Sequence, residues 1–176
     1  MFDSRGLMMI AAVLAMLPAA TAQTAPAAKP ASIEARLQRM EDIEEIRAVL
    51  TDYGRFLDAR DFASYSRLFA KDGEWVGGLG TVQGPAAIKV FMEKAIPGPN
   101  AVHNYHLLSN FEIEVRGDTA TAWSRWAFVV PGPDKKPAIA QGGRYDDTFV
   151  RENGHWKFKR RTASNDLPSS GPVQTK

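Results

Sequence analysis

The chain of 176 residues has no cysteine. That excludes a disulfide framework, a thiol nucleophile and a lipidated cysteine. Histidine is scarce, with three residues, and the net charge is only +2. So small a charge leaves no electrostatic footprint for nucleic acid. The one basic run, Lys157, Lys159, Arg160 and Arg161, reads as mostly a solvated strand face. A Gly-x-Ser-x-Gly elbow is missing too. Gly77, Gly78 and Gly80 lack the strand-to-helix spacing of a phosphate-binding fingerprint and read as a flexible loop. His103 and His106 stand three apart in a strand-forming stretch, so they point to opposite faces. With no third ligand evident, the pattern disfavours a metal site. Nothing in the sequence calls for a cofactor.

Long apolar runs are also lacking, apart from one near the start. Residues 7–20 are nearly all apolar, Arg5 precedes them, and Ala20-Thr21-Ala22 matches the small-x-small cleavage rule. The run is too short for a comfortable membrane span. The expectation is a signal peptide over residues 1–22, cleaved after Ala22, giving a periplasmic or secreted protein with no membrane attachment. The alternative is an uncleaved anchor. Residues 23–31 are Ala/Pro-rich and read as a disordered linker. Residues 32–165 form one domain, and residues 166–176 a flexible tail.

What is present is a long amphipathic helix. Ile33, Leu37, Met40 and Ile43 lead into Ile46, Val49, Leu50, Tyr53, Phe56 and Leu57 at helical spacing. Ser32 is its natural N-cap. Asp58 sits in its last turn, where the negative end of the helix dipole disfavours a carboxylate by a few tenths of a kcal/mol. Such a residue is either a solvated helix end or a carboxylate at the mouth of a pocket. Asp61 can cap a second helix with Phe62, Tyr65, Leu68 and Phe69 on its apolar face and Gly73 as its stop. Glu74-Trp75-Val76 reads as a short strand. Pro85 opens a third helix that turns Ile88, Phe91 and Met92 inward.

The remainder reads as strands. Residues 102–115 and 119–130 flank Gly117-Asp118. Residues 138–151 and 155–164 flank Asn153-Gly154, the strongest short hairpin signal. Helices followed by long antiparallel strands give an α+β class, with three N-terminal helices packed on a strongly curved antiparallel sheet. Alternation from the Asn153-Gly154 turn puts Tyr145, Asp147, Phe149, Trp156, Phe158 and Arg160 on one buried face. Asp147 and Arg160 then form a charged cross-strand pair, worth about 0.2–1 kcal/mol if structural. In the first hairpin Tyr105, Leu107, Phe111, Ile113 and Val115 share a face. His103 joins them under strict alternation. One β-bulge near Ser109 or Asn110 turns His106 inward instead.

The chemistry on offer is acid–base. An imidazole titrates near neutrality, and a neighbouring carboxylate can fix its tautomer and raise its basicity. A tyrosine hydroxyl can polarise a carbonyl. Tyr53 and Asp58 are five apart, about 140° around a helix, and share a pocket only if the helix end projects into it.

At these residues the chain resembles the SnoaL-like group of the nuclear transport factor 2-like superfamily. The matching features are Leu37-x-x-Met-Glu-Asp-Ile, Tyr53-x-x-x-Leu-Asp58-x-x-Asp61, Leu68-Phe69-x-x-Asp72-Gly73, Gly84-x-x-x-Ile88, His106-x-x-x-Asn110, Gly143-x-Tyr145-x-Asp147 and Gly154-x-Trp156. They run in order over residues 33–165. The resemblance implies a cone-shaped α+β barrel, a deep apolar pocket and a homodimer. Members include polyketide cyclases, dehydratase-like lyases, ketosteroid isomerase-like enzymes and ligand binders without known activity. It implies Tyr53, Asp58 and His106 as catalytic residues. Tyr65, Trp75, Phe91, Trp126 and Tyr145 are candidate pocket walls, and His103, Asp147 and Arg160 secondary ones. Dehydratase-like members carry a further carboxylate on the strand after the histidine, whereas residues 123–128 here hold no acid. The expected partner is a hydrophobic carbonyl-bearing small molecule, either turned over or simply carried. A third reading is an interaction module whose pocket is filled by side chains.

Overall fold

The computed structural model describes residues 32–99, 104–132 and 134–167. The expected signal peptide and linker, His103 and residues 168–176 lie outside the described residues. Helix α1 runs over Ile33–Ala59, α2 over Phe62–Arg67 and α3 over Pro85–Ala95. The strands are β1 (Phe69–Gly77), β2 (Gly80–Gln83), β3 (Tyr105–Arg116), β4 (Thr119–Pro131), β5 (Pro137–Glu152) and β6 (His155–Asn165). They form one six-stranded sheet in the order β2-β1-β6-β5-β4-β3. All neighbours are antiparallel except β1 and β6, which run parallel.

Local signals set the element ends. The Ser32 hydroxyl accepts from the Ala35 amide at 3.2 Å, and the Asp61 carboxylate accepts from the Ser64 amide at 3.0 Å. Pro85 stands in the first turn of α3. Asn153 and Gly154 both have positive φ (54° and 83°), as a tight two-residue hairpin turn requires.

Tertiary pairing overrides the local signals in two stretches, residues 68–73 and residues 77–80. Leu68 and Phe69 do not continue α2. The Phe158 amide donates to the Leu68 carbonyl (2.9 Å), Phe69 opens β1 opposite Phe158, and the two rings lie 5.2 Å apart. Gly73, expected as a helix stop, instead lies in an irregularity of β1, where a Cβ would stand 2.6 Å from the Phe158 carbonyl oxygen. The glycines at 77–80 are not a loose loop either, since Gly77 pairs with Gly80 across a β1–β2 hairpin. A third difference concerns the tail. The Asp166 and Leu167 amides both donate to the Gly142 carbonyl (3.1 Å), and the Asp166 carboxylate pairs with Arg125 and Arg144.

The core joins Ile46, Leu50, Tyr53 and Leu57 of α1 to Phe149, Trp156 and Phe158 of the sheet. Each such side chain contributes about 1.5–3 kcal/mol by leaving water. Gly54 brings α1 close to β3, because a Cβ there would meet Leu108 at 3.0 Å. That approach sets the Asp58 end of the helix against the first residues of β3.

Candidate active site

Alternation decides which side chains reach the interior, and bulges decide where the alternation changes sign. In β3 the pairing shifts between Ser109 and Glu112, and Asn110 takes a positive φ of 55°. His106 and Leu108 therefore face the same side as Phe111, Ile113 and Val115, and all are partly buried. Tyr105 and Leu107, expected inward, are 43% and 53% exposed. In β6 the pairing runs from Phe149–Phe158 to Thr148–Arg160, which leaves Lys159 as an extra residue. One residue is enough to exchange faces. Arg161, not Arg160, comes to lie opposite Asp147, fully buried. Arg160 pairs on the outside with Glu74 of β1.

The Asp58 carboxylate grips His106 twice. Its Oδ2 accepts the His106 main-chain N–H at 2.9 Å, and its Oδ1 lies 2.7 Å from the ring Nδ1. The first bond is possible because β3 is an edge strand, whose outward amides have no strand partner. A carboxylate at Nδ1 assigns the ring proton to that nitrogen and leaves Nε2 as the basic one. The ring packs against Phe128 (centroids 4.8 Å) and Trp126 (6.3 Å).

His106 lines a cavity of about 470 Å³. Tyr53, Tyr65, Trp75, Trp126 and Tyr145 line it as well, with Leu57, Leu79, Met92 and Phe128 completing an apolar wall. Phe91 is not part of the lining and packs against Trp75 at 5.5 Å. Asp147 and Arg160 do not line it either.

The three tyrosines form a cluster. The Tyr53 ring lies 4.8 Å from Tyr65 and 5.5 Å from Tyr145. The Tyr53 hydroxyl accepts from Trp75 Nε1 at 3.1 Å, which leaves its own proton for donation. Burial pushes the Tyr65 and Tyr145 hydroxyls well above the ordinary phenol range, with the neighbouring Tyr53 adding to the effect. These groups are proton-bearing donors, not bases.

Arg161 is the floor beneath them. Its guanidinium carbon lies 3.9 Å from the Tyr53 ring centroid, 4.0 Å from Tyr145 and 4.3 Å from Phe158. Its Nε and Nη2 hold the Asp147 carboxylate at 2.8 and 2.7 Å. Burial alone would lower the Arg161 pKa, but Asp147 outweighs burial and holds it above its ordinary value. Burial drives the Asp147 carboxyl upward against that attraction. Sequence reasoning missed Arg161 because it stood in a basic run read as a solvated face. Two adjacent arginines carry no sign of which one a bulge will bury.

Arg60 was also missed. It lines the cavity and ends α1 in the left-handed conformation (φ 60°), where glycine is usual. The Arg60 amide donates to the Leu57 carbonyl (3.1 Å) and the Asp61 amide to the Phe56 carbonyl (2.9 Å), which is a Schellman closure. A non-glycine residue there costs about 1–3 kcal/mol. The missing glycine after Ala59 was the one available signal. Among the described residues, no group of three or more His, Cys, Asp or Glu side chains is arranged to hold a metal ion.

The family pattern of the SnoaL-like domain matches residues 38–162. The chain belongs to the SnoaL-like family. The protein Rv2910c of Mycobacterium tuberculosis is 33% identical over 127 residues, covering 69% of this chain and 84% of its own. Among solved structures, an NTF2-like protein with a cystatin-like fold from Novosphingobium aromaticivorans is 29% identical at a TM-score of 0.70. That match covers 80% of this chain and 92% of that one. ActVI-ORFA from Streptomyces coelicolor, 23% identical at a TM-score of 0.63, covers 70% of this chain and 96% of its own and shares the fold. Within this SnoaL-like chain the inward residues of β4 are Ala120, Ala122, Ser124, Trp126 and Phe128, none of them acidic.

Proposed function

We propose that this SnoaL-like protein is a cofactor-free acid–base enzyme of dehydratase, cyclase or isomerase type, acting on an apolar carbonyl-bearing small molecule. The observation that carries the reading is the 2.7 Å contact between Asp58 Oδ1 and His106 Nδ1 on a residue that lines the cavity. His106 Nε2 takes a proton from the carbon next to the carbonyl. The C–H electron pair passes into an enolate, whose oxygen accepts hydrogen bonds from the Tyr53 or Tyr145 hydroxyl. Asp58 stabilises the imidazolium that forms. The imidazolium then returns its proton to a β-hydroxyl leaving as water, or to a different carbon in an isomerisation. The test is a turnover screen over apolar β-hydroxy ketones and enolisable ketones. Turnover lost in His106→Ala and in Asp58→Asn, with the circular dichroism of both retained, supports the enzyme.

A second reading, a carrier of such ligands, is favoured by the absence of an acid among the inward residues of β4. Tight ligand binding with no turnover across the screen would establish it. Export and dimerisation belong to the same proposal. Tyr105 and Leu107 of β3 and Ile139 of β5 are exposed apolar side chains, and this supports a face for a second copy. N-terminal sequencing of secreted material, expected to begin at Gln23, and light scattering at twice the mature mass check the two points.

A further inference from the structure

We propose that Arg60 is the anion-recognition group of this cavity, so that its ligand is an apolar small-molecule acid bound through an ionised carboxylate. The inference rests on the reading of the cavity as a ligand site and narrows its substrate class.

Among the described residues, Arg60 is the one Lys or Arg that lines the cavity. It makes none of the ion pairs found among the described residues. A half-buried cation without a counter-charge has given up part of its hydration with no compensating partner, and an anion supplies one.

The guanidinium is also held in a defined orientation. Its Nη1 donates to the Leu57 carbonyl at 2.7 Å. Its Nη2 reaches the Asn104 side-chain oxygen only at 3.4 Å. Its Nε is buried with no hydrogen-bond partner. The under-used edge is therefore the Nε–Nη2 edge, the same edge with which Arg161 grips Asp147 at 2.8 and 2.7 Å. A ligand carboxylate on that edge, replacing the long contact to Asn104, satisfies both nitrogens in the bidentate geometry that suits guanidinium best.

The location ties this group to the dyad. Arg60 follows Asp58 by two residues, and Asn104 precedes His106 by two. Two residues of extended chain span about 7 Å. A carboxylate anchored at Arg60 therefore leaves the adjoining carbons of the ligand at the His106 end of a lining that is mostly aromatic and apolar, with Gln141 and Asn165 as its uncharged polar members.

The experiment measures quenching of tryptophan fluorescence, since Trp75 and Trp126 line the cavity. It compares 2-naphthoate with the uncharged 2-naphthamide on the full chain. The expected result is that naphthoate binds at least about tenfold more tightly, as a charged hydrogen-bonded contact implies. Arg60→Gln brings the two ligands level, and Arg60→Lys restores part of the preference. Equal binding of both ligands to the unmodified protein would overturn the anion site while leaving the cavity reading in place. A preference that survives Arg60→Gln would overturn the assignment to Arg60. Saturable binding of neither would overturn both readings. If Arg60→Gln fails to fold, the comparison of acid and amide on the unmodified chain still decides whether the cavity holds an anion site, and the Arg60→Lys variant tests its assignment.

Discussion

Two of the carboxylates on helix α1, Asp42 and Asp58, lie about 24 Å apart along its axis, and their partners differ in kind. Asp42 is buried at one end of the sheet. Arg151 Nη2 reaches it at 2.5 Å, Gln38 Nε2 at 3.1 Å and Trp156 Nε1 at 3.3 Å. Burial pushes the Asp42 carboxyl up, but these donors outweigh it and hold it below the ordinary carboxylate range. Arg151 also lies over the Trp156 ring and reaches Asp118. Asp42 thus bolts α1 to the β5–β6 hairpin through groups that do not exchange protons near neutral pH. Asp58, at the other end, holds a backbone amide and an imidazole beside a cavity. The same side chain on the same helix is a fastener against guanidinium and indole at one end, and at the other it orients an imidazole. What separates the two is whether the partner can give and take a proton.

The sharpest way to break this contrast is Asp58→Asn. The amide keeps the size of the carboxylate and loses its charge. If the proposed chemistry holds, steady-state turnover falls by about 10²–10⁴-fold, the range of a disabled acid–base pair, with little change in unfolding midpoint. Retained turnover would take Asp58 out of the mechanism.

At the fastening end, Trp156→Ala removes a ring that is 2% exposed, and urea unfolding is expected to register a loss of about 3–5 kcal/mol. A near-neutral result would contradict the burial of that hairpin face. Asp42→Asn is milder. It leaves Arg151 without its buried counter-charge and should cost about 1–3 kcal/mol by the same measurement, with ligand binding to the cavity unaffected.

The smallest effect is in the pH dependence of stability. Because the folded-state value of Asp42 is depressed, its contribution is present above the unfolded carboxylate range and is lost as pH falls through the folded value. Asp147 runs the other way. Its raised value contributes below the unfolded range, and that contribution is lost as pH rises through the folded value. Asp42→Asn should therefore flatten the acid limb of a stability–pH curve measured by urea midpoint. An acid limb unchanged by Asp42→Asn would show that the donor set does not hold the group as described.

Much of the fold was legible from local chemistry. Ser32 and Asp61 cap helices, Pro85 begins one, and Asn153-Gly154 turns a hairpin whose first pairs, Arg151–Trp156 and Phe149–Phe158, follow from the turn. Each of these signals acts within a few residues of itself. Legibility ended at the first bulge. Beyond Lys159 strict alternation buries Arg160, while the molecule buries Arg161. In β3 the residues themselves admitted either His103 or His106, and the irregularity between Ser109 and Glu112 turns His106 inward. Phe69 reads by its spacing as part of α2, but an apolar residue after a short helix suits a strand as well, and here it opens β1 and stacks on Phe158.

By itself the sequence determined the class of the fold, the ends of its helices and the faces of its strands as far as the nearest irregularity, because capping, turn geometry and two-residue alternation are local. Only the tertiary structure decided which arginine lies under the tyrosines and which histidine meets Asp58. A bulge inverts every face beyond it, and its place is set by contacts between residues far apart in the chain.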